Sequence, residues 1–135
     1  MAEPDEFLDI FSEFNIAVVA DDLAQESRQF RTDVPSGIDP LEQLAQQWQD
    51  FDGCPLALNP DKPRGQMLID MTKKYNADAV VVCMMRFCDP EEFDYPIYKP
   101  EFEAAGVRYT VLDLDIESPS LEQLRTRIQA FSEIL

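Results

Sequence analysis

The chain is predicted to adopt an α/β fold: a Rossmann-like or flavodoxin-like three-layer domain with a parallel sheet of three to four strands. Two apolar runs carry this expectation, Ile16-Ala17-Val18-Val19-Ala20 and Ala79-Val80-Val81-Val82-Cys83. Unbroken β-branched runs suit strands buried on both faces. The third observation is order. Helical periods precede, separate and follow the strand candidates, and such alternation means a parallel sheet covered by helices through crossovers.

Each element has a local reason. Phe7, Ile10, Phe11 and Phe14 fall at offsets 0, 3, 4 and 7, one apolar helical face with Pro4 near its start. Residues 16–20 read as the first strand, and Asp21 and Asp22 follow it at a ligand-facing edge. Residues 23–37 have no clean period and carry Arg28 and Arg31; they read as a functional loop with a short helical turn. Asp39, Pro40 and Glu42 form a helix-start pattern, and Leu41, Leu44, Ala45, Trp48 and Phe51 stripe the helix that follows. Residues 53–63 are turn-rich, hold Cys54 and include a weak strand candidate at 56–58.

The second half repeats the alternation. Residues 64–75 are predicted helical, with Leu68, Met71 and Tyr75 in phase, and residues 79–83 form the second strand. Asp89 is read as the next helix cap, with Pro90 at the first position and Glu92 completing a capping box. Pro96 and Pro100 each remove a helical hydrogen bond, so residues 90–105 are expected to form a broken helix. Gly106 ends it as a C-cap. Residues 107–114 are the third strand, with Asp113 and Asp115 near its exit. Ser118, Pro119 and Ser120 begin a last helix striped by Leu121, Leu124, Ile128, Phe131 and Leu135. Arg125 and Arg127 lie on its polar side and are assigned to salt bridges or a subunit interface.

Size and charge bound the function. The 135 residues suit one domain, 1–135, that buries about two thirds of its unfolded surface. The net charge is −16, from 27 acids against 11 bases, with no histidine. Such a surface repels nucleic acid and anionic lipid, so neither nucleic acid nor membrane is an expected partner. Histidine catalysis and histidine metal ligation are excluded. No apolar run approaches the roughly 20 residues of a membrane span, and the acidic, amphipathic N-terminus is unlike a signal peptide. A cytoplasmic location is the resulting expectation. The cysteines at 54, 83 and 88 make no disulfide framework, and an odd count suits a reducing compartment.

Cys88 is the first candidate site residue. It follows the 79–83 strand and lies just outside a helix start, at the sheet edge where open α/β folds bind ligands. Partial positive charge there favours the thiolate, the form that ligates iron or zinc. Asp89, Glu91 and Glu92 work against this by drawing on the same field. A ligand or redox thiol and a buried structural thiol both remain open from these residues alone.

The segment Phe87-Cys88-Asp89-Pro90-Glu91-Glu92-Phe93-Asp94-Tyr95-Pro96 resembles the C-terminal domain of the 2-hydroxyacyl-CoA dehydratases. These are two-subunit iron–sulfur enzymes related to 2-hydroxyglutaryl-CoA dehydratase and benzoyl-CoA reductase. The likeness extends to Ala17-Val18-Val19-Ala20-Asp21-Asp22-Leu23, to Ser27-Arg28-Gln29-Phe30-Arg31-Thr32, and to Leu121-Glu122-Gln123-Leu124-Arg125-Thr126-Arg127-Ile128-Gln129-Ala130-Phe131. It runs over nearly the whole chain in order.

The resemblance implies a radical dehydration of 2-hydroxyacyl-CoA to 2-enoyl-CoA. It implies one [4Fe–4S] cluster per subunit, held by three cysteines, of which the Phe-Cys-Asp-Pro cysteine corresponds to Cys88 only. The other two ligands belong to an upstream domain outside this chain. No cluster is therefore expected to bind stably to this chain alone, because cluster sites use cysteine at nearly every iron, and the isolated chain is expected to be inactive. The implied partners are a homologous second subunit, an ATP-dependent iron–sulfur activator and an acyl-CoA substrate. Asp21, Asp22 and Arg28 are candidates for substrate contacts, with capping and surface ion pairs as equally open readings. Phe87, with Met84 and Met85, is a candidate dry wall, against plain core packing. Competing functions are a flavodoxin-like binding or redox module, a benzoyl-CoA-type reductase subunit, a Cys83–Cys88 thiol switch and an acidic interaction domain.

Overall fold

A computed structural model of the chain describes residues 5–37, 39–57, 59–115 and 120–135. Among the described residues, six helices and two strands follow in the order α1 (Asp5–Glu13), α2 (Ser27–Phe30), α3 (Pro40–Gln49), α4 (Arg64–Lys74), β1 (Ala79–Met85), α5 (Asp89–Ala105), β2 (Arg108–Leu114) and α6 (Leu121–Ser132). The strands pair in parallel, in register from Ala79 opposite Arg108 to Met85 opposite Leu114. Alternation along the strands separates two cores. Val81, Cys83 and Met85 with Leu112 and Leu114 pack against Phe7, Ile10 and Phe11 of α1 and Leu124 and Ile128 of α6. On the other face Val80, Val82 and Met84 with Tyr109 and Val111 pack against Ile69 of α4 and Tyr98 and Phe102 of α5. Helices thus cover both faces of a parallel β-α-β unit.

The periodic helices form where their apolar stripes predict. Leu124, Ile128 and Phe131 are buried on α6, so Leu124→Ala is expected to cost about 2–5 kcal/mol in chemical denaturation. On α4 the buried face is Gly65 and Ile69, one step from the Leu68, Met71 and Tyr75 phase. Gly65 is required there: a Cβ would meet Tyr98 Cβ at 2.7 Å and Glu101 Oε2 at 1.7 Å. α4 and α5 therefore cross backbone against side chain.

Five expectations need correction. The described sheet has two strands, not three to four. Residues 16–20 follow α1 without strand pairing, and Val18 and Val19 are 59% and 51% exposed. Apolarity marks a strand candidate but does not supply a hydrogen-bonded neighbour. The weak 56–58 candidate is a turn at residues 55–57, and residue 58 lies outside the described residues. α5 is one helix, not a broken one. Asp94, Tyr98 and Phe102 lie one turn apart on its buried face, while Pro96 and Pro100 lie on the exposed side. Burial of that face holds the helix across two prolines that each disfavour it by about 3 kcal/mol. Finally, the N-cap of α5 is Cys88 rather than Asp89, with no side-chain capping bond.

α3 forms as its cap pattern predicts: Asp39 accepts from the Leu41 N–H at 2.9 Å. Its stripe, however, is buried nowhere. Leu41, Leu44 and Trp48 are exposed, Trp48 at 64%.

Candidate functional site

The site lies at the carboxyl ends of the two strands, where the polypeptide turns from β1 into α5. The ladder continues one step past β1 through Arg86 N–H donating to Leu114 O at 2.9 Å. The Cys88 N–H donates back to Met85 O at 3.1 Å, and its carbonyl accepts the first helical bond from Glu92 at 3.0 Å. Between them Phe87 takes a φ of 65°. For a bulky non-glycine residue that conformation is strained, and such strain persists only where surrounding structure holds it. Phe87 is 93% exposed, so it is not core; Met84 is buried. Cys88 is half-buried, and none of the three cysteines is in a disulfide. Arg86 bridges the two strand exits by pairing with Asp115 at 3.2 Å.

Beside this turn lies a dense ion network. Asp21 organises the preceding loop: its Oδ1 accepts from the N–H groups of Leu23 at 3.1 Å and Ser27 at 3.0 Å. Asp22 is contacted by three guanidinium groups, from Arg28 at 3.1 Å, Arg31 at 2.5 Å and Arg64 at 3.1 Å. Glu91, in the first turn of α5, is held by Arg64 at 2.6 Å and Arg28 at 3.3 Å. Lys62 pairs with buried Asp94 at 2.9 Å. Arg28 and Arg64 are only 5% and 8% exposed. Burial pushes the Arg64 guanidinium down, but its hydrogen bond to Glu91 and the charges of Glu91 and Asp22 outweigh this and hold it above its ordinary value. The Tyr98 hydroxyl, in turn, is driven up by burial, against the pull of Arg64. Breaking one partner of such a buried set typically costs about 3–5 kcal/mol.

Of the residues singled out from sequence, the fold brings Asp22 and Arg28 into one ion pair and places Asp21 beside them as a loop organiser. Cys88 and Phe87 share the β1–α5 turn, three to four residues before Glu91. Arg64, Glu91, Asp94 and Lys62 were missed as a group. One signal was legible for Arg64: a base opening a helix runs against the macrodipole, and here a glycine follows it. Among the described residues no group of three or more cysteine, aspartate, glutamate or histidine side chains is arranged to hold a metal ion. None of the described helices is long and apolar enough to cross a membrane.

Comparison with known proteins agrees with the resemblance. Residues 1–135 match the model of the family 2-hydroxyglutaryl-CoA dehydratase, D-component. The chain is 54% identical over 136 residues to lactoyl-CoA dehydratase subunit beta of Anaerotignum propionicum, covering all of this chain and 36% of that protein. It is 44% identical over 135 residues to the (R)-phenyllactyl-CoA dehydratase beta subunit of Clostridium sporogenes, again covering 36% of that protein. It is 33% identical over 124 residues to (R)-2-hydroxyglutaryl-CoA dehydratase, subunit beta, of Acidaminococcus fermentans, covering 89% of this chain and 33% of that protein. The chain thus spans about a third of the length of these relatives. With the family matched from end to end, the chain belongs to the 2-hydroxyglutaryl-CoA dehydratase D-component family.

Proposed function

We propose that this chain is the portion of a 2-hydroxyacyl-CoA dehydratase beta subunit that carries one cysteine ligand, Cys88, to a [4Fe–4S] cluster, in a cytoplasmic enzyme that converts 2-hydroxyacyl-CoA to 2-enoyl-CoA. The supporting observation is the placement of Cys88. It is a half-buried residue at a helix start and at the carboxyl edge of a parallel sheet. One thiol fits one corner of a cluster and not a whole donor set, so the remaining ligands come from the two thirds of the relatives that this chain does not span. When bound, a low-potential cluster supplies the single electron that makes loss of water feasible.

This chain's own residues would do the rest. Cys88 holds iron. Phe87 presents an aromatic ring beside it, and the ring has exposed surface to offer an acyl group while excluding water. Asp21, Asp22 and Arg28 act on the substrate side by fixing the 21–31 loop at the same edge. The partners are an alpha subunit homologous to this one, an ATP-dependent iron–sulfur activator and the acyl-CoA. An exposed helix face with a tryptophan and almost no charge has the composition of an interface core, which supports α3 as a contact with the rest of the assembly. Trp48→Ser should change the chain's own stability by no more than about 0.5 kcal/mol. It should weaken co-purification with the alpha subunit by about 2 kcal/mol or more.

The direct test is enoyl-CoA formation by the activated enzyme that contains this chain, with lactoyl-, phenyllactyl- and 2-hydroxyglutaryl-CoA compared side by side. No turnover of any of the three by an enzyme with a full cluster complement sinks the reading. So does a stable, stoichiometric cluster on this chain alone after anaerobic iron and sulfide reconstitution.

A further inference from the structure

Two roles compete for the buried network. Four bases converge on it in a chain with 11 bases in all, and such convergence ordinarily suggests an anion site. Carboxylate pairing weighs against that. Both terminal nitrogens of Arg64 are engaged by carboxylates, and Arg28 gives Nε and Nη2 to Asp22 and Nη2 to Glu91. Arg64 Nε, a donor without a partner among the described residues, is sealed from solvent. The two most buried bases, Arg28 and Arg64, thus spend their contacts on this chain's own carboxylates, and the network works inward.

What it holds is the start of α5, which has little local support. The N-cap Cys88 makes no side-chain capping bond, Pro90 has no N–H, and Phe87 sits at a φ of 65°. Helix starts normally satisfy their free N–H groups through a cap, worth about 1 kcal/mol. Here Glu91 is instead pinned by Arg64, the first residue of α4, and by Arg28. Arg64 grips Asp22 with its other terminal nitrogen. Two helix starts and the 21–31 loop therefore meet at one guanidinium.

We propose that Arg64 is a positioning residue for Cys88: its clamp across Asp22 and Glu91 fixes the β1–α5 turn, and with it the thiol, against the 21–31 loop. The functional weight of this rests on Cys88 being a cluster ligand; the clamp itself does not, and its test needs no iron.

The test is Arg64→Met in the chain, with alkylation by a neutral reagent followed separately at Cys88 and Cys83 by peptide mass spectrometry. Cys83 lies in β1 and packs on the core, so it reports general unfolding. Release of the turn should raise the Cys88-to-Cys83 rate ratio about tenfold and speed amide exchange at residues 88–92, with α6 unchanged. Arg64→Lys keeps the charge but not the two-pronged reach, and should give an intermediate ratio; it replaces the methionine variant if that one does not fold. An unchanged ratio, or equal acceleration at both cysteines, overturns the proposal. In the assembled enzyme, loss of iron on Arg64→Met with the ratio raised supports both readings. A cluster that survives Cys88→Ser ends the ligand reading and leaves the clamp standing.

Discussion

Cys88→Ser is expected to remove the cluster from the enzyme that contains this chain while leaving the chain's fold intact or slightly firmer. The two effects have opposite signs for a physical reason. Cys88 is the N-cap of α5 and makes no capping bond; serine is among the best N-caps, so the exchange should stabilise the helix start by about 0.5–1 kcal/mol. As an iron ligand, however, a serine hydroxyl at neutral pH is a poor substitute for a thiolate. Even residues that merely support metal ligands cost 10–100-fold when removed, so loss of a ligand should lower dehydration by at least about a hundredfold. Visible absorption, iron content and a thermal midpoint on the same sample separate the effects. Cys54→Ser, a loop thiol, is the control that should keep full iron. A Cys88→Ser enzyme with normal iron and normal turnover removes Cys88 from the site.

Phe102→Ala carries the largest expected stability loss, about 3–5 kcal/mol. Phe102 is fully buried and touches the rings of Tyr98 at 5.2 Å and Tyr109 at 5.6 Å. A small domain has only about 5–15 kcal/mol in total, so the loss is a large fraction of it. The effect should not be confined to a cavity. Phe102 lies after both prolines of α5, and its burial is what ties the second half of that helix to the sheet. Urea denaturation should show a lower midpoint, and far-ultraviolet dichroism should show fewer helical residues before the main transition. A change below about 1 kcal/mol would mean the site collapses freely and that α5 is held across its prolines by other contacts.

Legibility followed the range of the interaction. The stripes of α1 and α6, the Asp39 cap and the left-handed Gly106 cap were readable because their signals lie within a few residues. The strand read at 79–83 was legible from its β-branched run, though it extends to Met85, and its partner from position in the alternation. The 16–20 run misled because strand formation needs a neighbour, and among the described residues none pairs with it. The unbroken α5 was also out of reach: two prolines are a local veto, overruled by Tyr98 and Phe102 meeting β2 residues on the far side of a turn.

The site divides the same way. Cys88 and Phe87 stood out because a short motif carries them. Asp22 and Arg28 were visible as candidates but not as a pair with Arg64, because Arg28 lies 63 positions from Glu91 and Arg64 lies 27 positions from it. Charges at such separations have no period or spacing to betray them.

By itself the sequence determined the family, the helix-and-strand alternation and the cysteine at the sheet's edge. These are properties of composition, short motifs and local periodicity. Only the tertiary structure decided that the described sheet has two strands, that α3 keeps its apolar face outward, and that one arginine ties two helix starts to a loop. Those outcomes depend on which distant surfaces meet, and burial and charge pairing reward a contact only once the chain has folded far enough to make it.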